Sequence, residues 1–278
     1  MSDEIVHFKH SQLQHGKSND RVYLMKVDER DLPEVIQLAE TLAEEHGYSK
    51  LFTKVPATLE HAFFAHGFIE EARVPGLFGG EQEGVFLSRF VDAQRGEEQY
   101  VDTVQDVLAA ARAKPTVSFT DAVLPAGYSC QLLGPQDAED MAALYKVVFE
   151  SYPFPIHDPD YLRQTMDEDV IYHGIRHHGV LVAVSSSEMN VAQKHVEMTD
   201  FATHPDQRGA GLASFLLEEM EQDMRRRGIR TAFTIARAYS FGMNITFSKH
   251  GYRFTGTLVN NTQIFGQLES MNIWFKAL

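Results

Sequence analysis

A single cysteine, Cys130, occurs in 278 residues. That excludes a disulfide within the chain and a cysteine-built metal site, and it fits a reducing compartment. Long apolar runs are also missing: Val180 to Val184 ranks among the longest, far short of the ~20 residues that cross a bilayer. The opening MSDEIVHFKH has acids where a signal peptide carries its apolar segment, so the expected setting is cytoplasmic, with no membrane partner. Positive charge is scarce, with 25 Lys and Arg against 39 Asp and Glu for a net charge of −14. This argues against nucleic acid as a partner and leaves two readings, long-range steering of a cationic ligand or a charge set for solubility. The thirteen histidines show no HExxH or comparable ligand spacing. His177-His178 precede Gly179 in a turn, so no metal is expected.

A hydrophobic content of 44% suffices for a packed core, and the length suits two domains. Ala113 to Gly127 follows an amphipathic helix and carries two prolines, which places a boundary between units at 1–115 and 126–278. After it, spacing predicts a strand over Tyr128–Leu133, a helix over Pro135–Ser151 and a short helix over Asp158–Met166. Strands Val170–Arg176 and Val180–Met189 form a hairpin turning at His177-His178-Gly179, and a turn near Asn190–Lys194 leads into strand Val196–Thr203. Helix Leu212–Arg227, strand Thr231–Ala236, helix Ser240–His250 and two last strands, Tyr252–Val259 and Met271–Lys276, complete a mixed α/β (α+β) unit.

The sharpest local signal is His204-Pro205-Asp206-Gln207-Arg208-Gly209-Ala210-Gly211-Leu212-Ala213, between a strand and an amphipathic helix. Two glycines let the backbone turn successive N–H groups toward one point, and the helix N-terminus adds partial positive charge, so the loop suits a pyrophosphate. No GxxxxGK[ST] is present, and the glycines do not make a dinucleotide GxGxxG. Arg208-x-x-Gly211-x-Ala213 in this context resembles the acetyl-CoA signature of the GNAT acetyltransferase family, whose element order is the one just read. The resemblance implies a GNAT fold, a mixed but mostly antiparallel sheet flanked by helices, with acetyl-CoA as co-substrate. It implies that the amides of Arg208, Gly209, Ala210, Gly211, Leu212 and Ala213 bind the pyrophosphate. The backbone of Phe201, Ala202 and Thr203 would align the pantetheine arm, with Asn244 near that arm.

Acetyl transfer to an amine needs a base for the ammonium, donors for the thioester oxygen and a proton for the leaving thiolate. Strand alternation puts Glu197, Thr199, Phe201 and Thr203 on one face and Met198 and Asp200 on the other. Glu197 stands where several GNAT enzymes keep a base; the alternative is an acid paired with a cation at the sheet surface. The tyrosine that many of them use as acid is replaced by Phe247, which leaves Tyr239, Ser240, His250 or solvent as donor, with Tyr239 the chosen candidate. The runs Gly256–Ile264 and Glu269–Lys276, Ser151–Pro159 and Met243–Phe247 resemble the β-lysine N-acetyltransferase subfamily. That resemblance implies a small diamino-acid acceptor produced by a lysine 2,3-aminomutase, used as a compatible solute or in lysine degradation. Tyr152 and Phe154 would be pocket walls, and Asn260, Asn261 and Glu269 ligands for the substrate. The asparagines equally suit turns, no arginine stands out as carboxylate anchor, and oligomeric state stays open.

The first half repeats the second in outline: strand Tyr23–Val27, helix Leu32–Glu45, strand Leu51–Val55, helix Leu59–His66, strands Phe68–Val74 and Val85–Val91. Phe63-Phe64-Ala65-His66-Gly67-Phe68 echoes Phe247-Ser248-Lys249-His250-Gly251-Tyr252. The phosphate loop has no counterpart there, since Asp28–Pro33 is acidic and free of glycine, so the expectation is a smaller, partial GNAT-like domain without coenzyme binding. Two other functions remain as alternatives, acetylation of a protein lysine or N-terminus and non-catalytic sensing of acetyl-CoA.

Overall fold

The computed structural model describes residues 3–117, 123–264 and 266–278. In chain order the first half contains β1 (Glu4–Phe8), β2 (Ser11–Gly16), β3 (Arg21–Lys26), α1 (Glu34–His46), β4 (Lys50–Pro56), α2 (Glu60–Phe64), β5 (Ile69–Phe78), β6 (Gln82–Phe90) and α3 (Val101–Arg112). The second contains β7 (Tyr128–Leu133), α4 (Ala138–Val148), α5 (Pro159–Met166), β8 (Val170–His177), β9 (Val180–Asn190), β10 (His195–Thr203), α6 (Leu212–Arg226), β11 (Thr231–Arg237), α7 (Phe241–Lys249), β12 (Arg253–Ile264) and β13 (Gln267–Ala277). Part of the proposed linker, residues 118–122, lies outside the described residues.

Two sheets result, in the orders β1-β2-β3-β4-β6-β5 and β12-β13-β11-β10-β9-β8-β7. Each is antiparallel except for one parallel pair, β3 with β4 and β10 with β11. Set side by side, β1-β2-β3-α1-β4-α2-β5-β6 follows the path of β8-β9-β10-α6-β11-α7-β12-β13, so the partial GNAT-like unit is a topological copy lacking β7, α4 and α5. The copies differ most at the loop before the first long helix. Gly209 and Gly211 open the way into α6, whereas the loop before α1 is filled by the buried Asp31 carboxylate. That carboxylate accepts hydrogen bonds from the His10 N–H (2.9 Å) and the Ser11 hydroxyl (2.7 Å).

The hairpin at His178-Gly179 forms as expected, with consecutive positive φ of 49° and 86° that match the twist of flanking strands. β1 and β2 are additions to the expected elements, their alternation hidden by His and Gln. β12 and β13 also run longer than expected. Asn260 adopts a turn-like φ of 45°, yet it sits in a bulge that lets the strand continue to Ile264.

The two sheets meet across an apolar layer in which Phe52, Val74, Leu77 and Phe86 face Phe233, Leu258, Ile273 and Phe275. β5 and β12 approach so closely that a Cβ on Gly256 would lie 2.0 Å from the Glu71 carbonyl oxygen and 2.8 Å from Ala72 Cα. Beside this contact Lys50 and Glu71 form a buried 3.0 Å ion pair, and each also bonds the Val259 backbone, Lys50 its carbonyl at 2.7 Å and Glu71 its N–H at 2.6 Å. Helix α3 packs away from the unit that precedes it. Val104, Leu108 and Ala111 join the core of Val196, Met198, Met220 and Phe247, and Ser248 donates to the Ala111 carbonyl at 2.8 Å.

Candidate active site

β10 and β11 pair only from His195–Glu197 against Thr231–Phe233; beyond that they diverge. The resulting wedge is lined by Met198 to Phe201 on one side and Thr234 to Arg237 on the other, with Tyr152, Met243 and Phe247 closing it. On the side of α6 and α7 it opens into a cleft of 760 Å³ lined by Gln207, Arg208, Gly209, Gly211 to Ser214 and Thr246. Gly211, at φ 75°, caps α6 without a side-chain hydrogen bond, and no acid stands in the first turn. The helix therefore presents unfilled N–H groups and its positive end to the cleft, which fits the pyrophosphate of acetyl-CoA.

On the opposite side the wedge joins a cavity of 330 Å³ that shares Asp200 with it. Strict alternation would turn Asp200 away from Glu197. The ladder between β9 and β10 slips between Thr199 and Ala202, and Asp200 takes a positive φ of 53°. This bulge swings the Asp200 carboxyl round to the same cavity as Glu197, correcting the two-face reading. Asp200 accepts from the Ser186 hydroxyl at 2.6 Å and from the Tyr152 hydroxyl. Glu188 lies directly across the ladder from Glu197, so two carboxyls occupy facing positions. Solvent in the open cavity reaches both, Glu188 being exposed to it and Glu197 half-buried.

Burial raises the Glu197 carboxyl to about 7; Lys54 opposes the rise and Asp200 adds to it. Burial, then Glu197 and Asp200, push Glu188 well above the usual carboxylate range. Asp200 is raised by burial against its hydrogen bonds from Ser186 and Tyr152. Facing acids that cannot all ionise together leave one group poised near neutrality, the condition for a general base.

The sequence candidates separate in space. Glu197 and Phe154 line the acidic cavity and Tyr152 the wedge, while Phe201, Thr203, Arg208, Gly209, Gly211, Leu212 and Ala213 border the 760 Å³ cleft. Ala210 is exposed on the loop, and Ala202 is buried against α4. Asn244 is fully buried beneath α7, donating to the Arg237 and Ser240 carbonyls at 2.9 and 2.7 Å and accepting from Asn272 and Trp274 at 2.9 and 2.8 Å. Its capacity is thus spent on shaping the β11–α7 corner. The Tyr239 hydroxyl points to Glu98 at 2.7 Å.

Asn260 and Asn261 serve the contact between halves. The Asn260 amide donates to the Arg95 and Glu97 carbonyls, and the backbone carbonyls of Asn260 and Asn261 accept from Arg95 and Arg21. Glu269 is buried in a bidentate pair with Arg237 at 2.7 and 2.8 Å, holding that guanidinium where it borders the wedge and the coenzyme cleft.

Glu188 and Lys54 were missed from sequence. The turn that pairs Asn190 with His195 also sets Glu188 opposite Glu197, a count available once the hairpin is accepted. Lys54 comes from the other half of the chain and has no local signal beyond alternation with Lys50 and Phe52 on β4.

A model of the acetyltransferase (GNAT) family matches residues 139–252. The chain is 36% identical over 274 residues to the beta-lysine N(6)-acetyltransferase of Methanococcus maripaludis, covering 99% of this chain and 98% of that protein. It is 30% identical over 269 residues to the N-acetyltransferase YodP of Bacillus subtilis, covering 96% and 95%. With the beta-lysine N(6)-acetyltransferase of Methanosarcina mazei it shares 39% identity over 155 residues, 56% of this chain and 57% of that one.

Proposed function

This chain belongs to the GNAT acetyltransferase family and is an acetyl-CoA-dependent N-acetyltransferase, and we propose that its acceptor is a small diamino acid, β-lysine (3,6-diaminohexanoate), acetylated on its terminal N6 amine. The observation that carries this reading is the acidic cavity joined to the wedge through Asp200. At 330 Å³ it has the size of a small-molecule site, at the lower end of the roughly 300–1,000 Å³ range. Its Glu188, Glu197 and Asp200 suit ammonium groups, and Phe154, Ile156, Tyr161 and Tyr172 suit a methylene chain. The names of the Methanococcus and Methanosarcina relatives support the same acceptor. Such an acceptor is the product of a lysine 2,3-aminomutase.

Acetyl-CoA supplies the acyl group as a thioester. Glu197, poised near pH 7, takes the proton from the substrate ammonium, and Asp200 and Glu188 hold the amine beside the wedge. Cys130 is the chain's only cysteine. It lies on β7, outside the lining of the wedge, the cleft and the acidic cavity, so transfer is direct, without an enzyme thioester. Phe247 is buried against Phe201, ring centroids 5.7 Å apart, and offers no proton. Tyr152 is the phenol that borders the wedge and is the donor candidate for the leaving thiolate, in place of Tyr239.

The test is thiol release from acetyl-CoA with β-lysine, α-lysine, ornithine, spermidine and a lysine peptide. Selective turnover of β-lysine is expected. Turnover of the peptide alone would move the acceptor to proteins, and coenzyme binding without turnover of any amine would make the protein a sensor.

A further inference from the structure

The charges that line the acceptor cavity are Glu168, Glu188, Glu197 and Asp200, with Lys54 as the one lysine or arginine among the described residues of its wall. His195 shares the wall, but burial lowers its imidazole to about 3; its Nδ1 lies 2.8 Å from the Leu77 carbonyl oxygen, and it is neutral at working pH. Lys54 is not a surface lysine leaning in. It lies on β4, where Lys50, Phe52 and Lys54 alternate toward the second sheet while Leu51 and Val55 join the core under α1. Its Nζ stands 4.5 Å from the centroid of the Phe233 ring. Burial lowers its ammonium, which the charges of Glu197 and Glu188 oppose, and it makes no hydrogen bond or ion pair with any described residue.

A cation held in a cavity without a hydrogen-bonded anion is costly, and an acid-lined cavity repels a carboxylate. A diamino acid brings what each side lacks, ammonium groups for the acids and a carboxylate for the lysine. We infer that Lys54, contributed by the N-terminal half, is the anchor for the substrate carboxylate and selects a diamino acid over a diamine. This rests on the acceptor class proposed above. It also gives the N-terminal sheet a part in the reaction: having no coenzyme loop, it closes the acceptor cavity with Lys54 and Met25.

A lysine that merely offsets Glu197 and Glu188 would affect all amines alike, which the experiment separates. With full-length wild type, Lys54→Met and Lys54→Arg, kcat/KM is measured for β-lysine and for 1,4-diaminopentane, which is β-lysine without its carboxyl group. The pH is alkaline enough to keep Glu197 ionised in every variant. Lys54→Met is expected to lower the β-lysine to diamine ratio by about tenfold or more, mainly through KM for β-lysine, the size of a lost charge-assisted hydrogen bond. Lys54→Arg is expected to keep most of the preference. A ratio unchanged within about twofold in an active Lys54→Met enzyme overturns the anchor and leaves the acceptor class standing. Wild type inactive on both amines overturns the acceptor class itself. Should Lys54→Met fail to fold, wild type is compared on β-lysine and its methyl ester, and equal kcat/KM for the two overturns the anchor.

Discussion

Replacing Glu197 by Gln separates the cost of this carboxyl from its use. Its pKa moves from the usual 4.5 to about 7 on folding, which at about 1.4 kcal/mol per pKa unit corresponds to about 3 kcal/mol. A carboxyl raised on folding favours the native state below its unfolded pKa and loses that contribution as pH rises through the folded value. Glu197 therefore weighs against folding above pH 7, by on the order of 1–3 kcal/mol once cavity solvent is allowed for. Urea unfolding at pH 8 should find Glu197→Gln more stable than wild type by that amount. At pH 4.5 the two should nearly coincide, because the acid is then protonated in the native state and only half ionised in the unfolded one. Thiol-release assays on the same samples should show kcat down by about 10²–10⁴, the usual contribution of a general base. Wild-type kcat/KM should rise with pH up to about 7 and then level, with the rise absent in the variant. A variant less stable than wild type at pH 8, or equally shifted at both pH values, would refute the buried-carboxyl reasoning; undiminished turnover would refute the base.

Tyr152→Phe should lower kcat by about tenfold or more while Tyr239→Phe stays within about threefold, because Tyr152 lines the wedge beside Asp200 and Tyr239 lies outside it, its hydroxyl on Glu98; steady-state kinetics on the pair decides which phenol supplies the proton. Gly211→Val places a β-branched residue at φ 75°, at a cost of about 1–2 kcal/mol, and calorimetric titration should find CoA binding weakened by about tenfold. Gly256→Ala sets a methyl against the β5 backbone and should cost about 1–3 kcal/mol or more in urea unfolding, with the loss appearing at the contact between sheets.

The loop and helix start that border the candidate coenzyme cleft were legible because their signal is local. Two glycines, a helix start and a preceding strand suffice to specify an anion loop, and all fall within ten residues of one another. The acceptor half was not, because its geometry depends on events that one-dimensional periodicity cannot register. Alternation placed Asp200 on the wrong face, since a single bulge resets the phase of a strand. Asn260, Asn261 and Glu269 have the composition of a polar binding site, yet the Asn260 and Asn261 backbone carbonyls accept from Arg95 and Arg21, and the Glu269 carboxylate pairs with Arg237. Residue types that recognise a ligand also serve to tie neighbouring strands and units together. Lys54 shows the converse, a residue more than a hundred positions from Glu197 that only the packing of two units brings to it. The repeat was legible in outline through the Phe63–Phe68 echo, while β1 and β2 were lost among histidines and glutamines.

The two topological copies share one path of strands and helices, to which the second adds β7, α4, α5 and the segment joining them to β8. That unshared stretch supplies Phe154, Ile156, Tyr161 and Thr165 to the acceptor wall, and the neighbouring copy supplies Met25 and Lys54. On the proposed reading the duplicated framework keeps Glu197, while Tyr152 and much of the acceptor's shape and countercharge come from pieces outside it. Such a division lets selection retune substrate preference by editing one inserted segment and one borrowed strand, while the glycine loop and the β10–β11 wedge stay untouched.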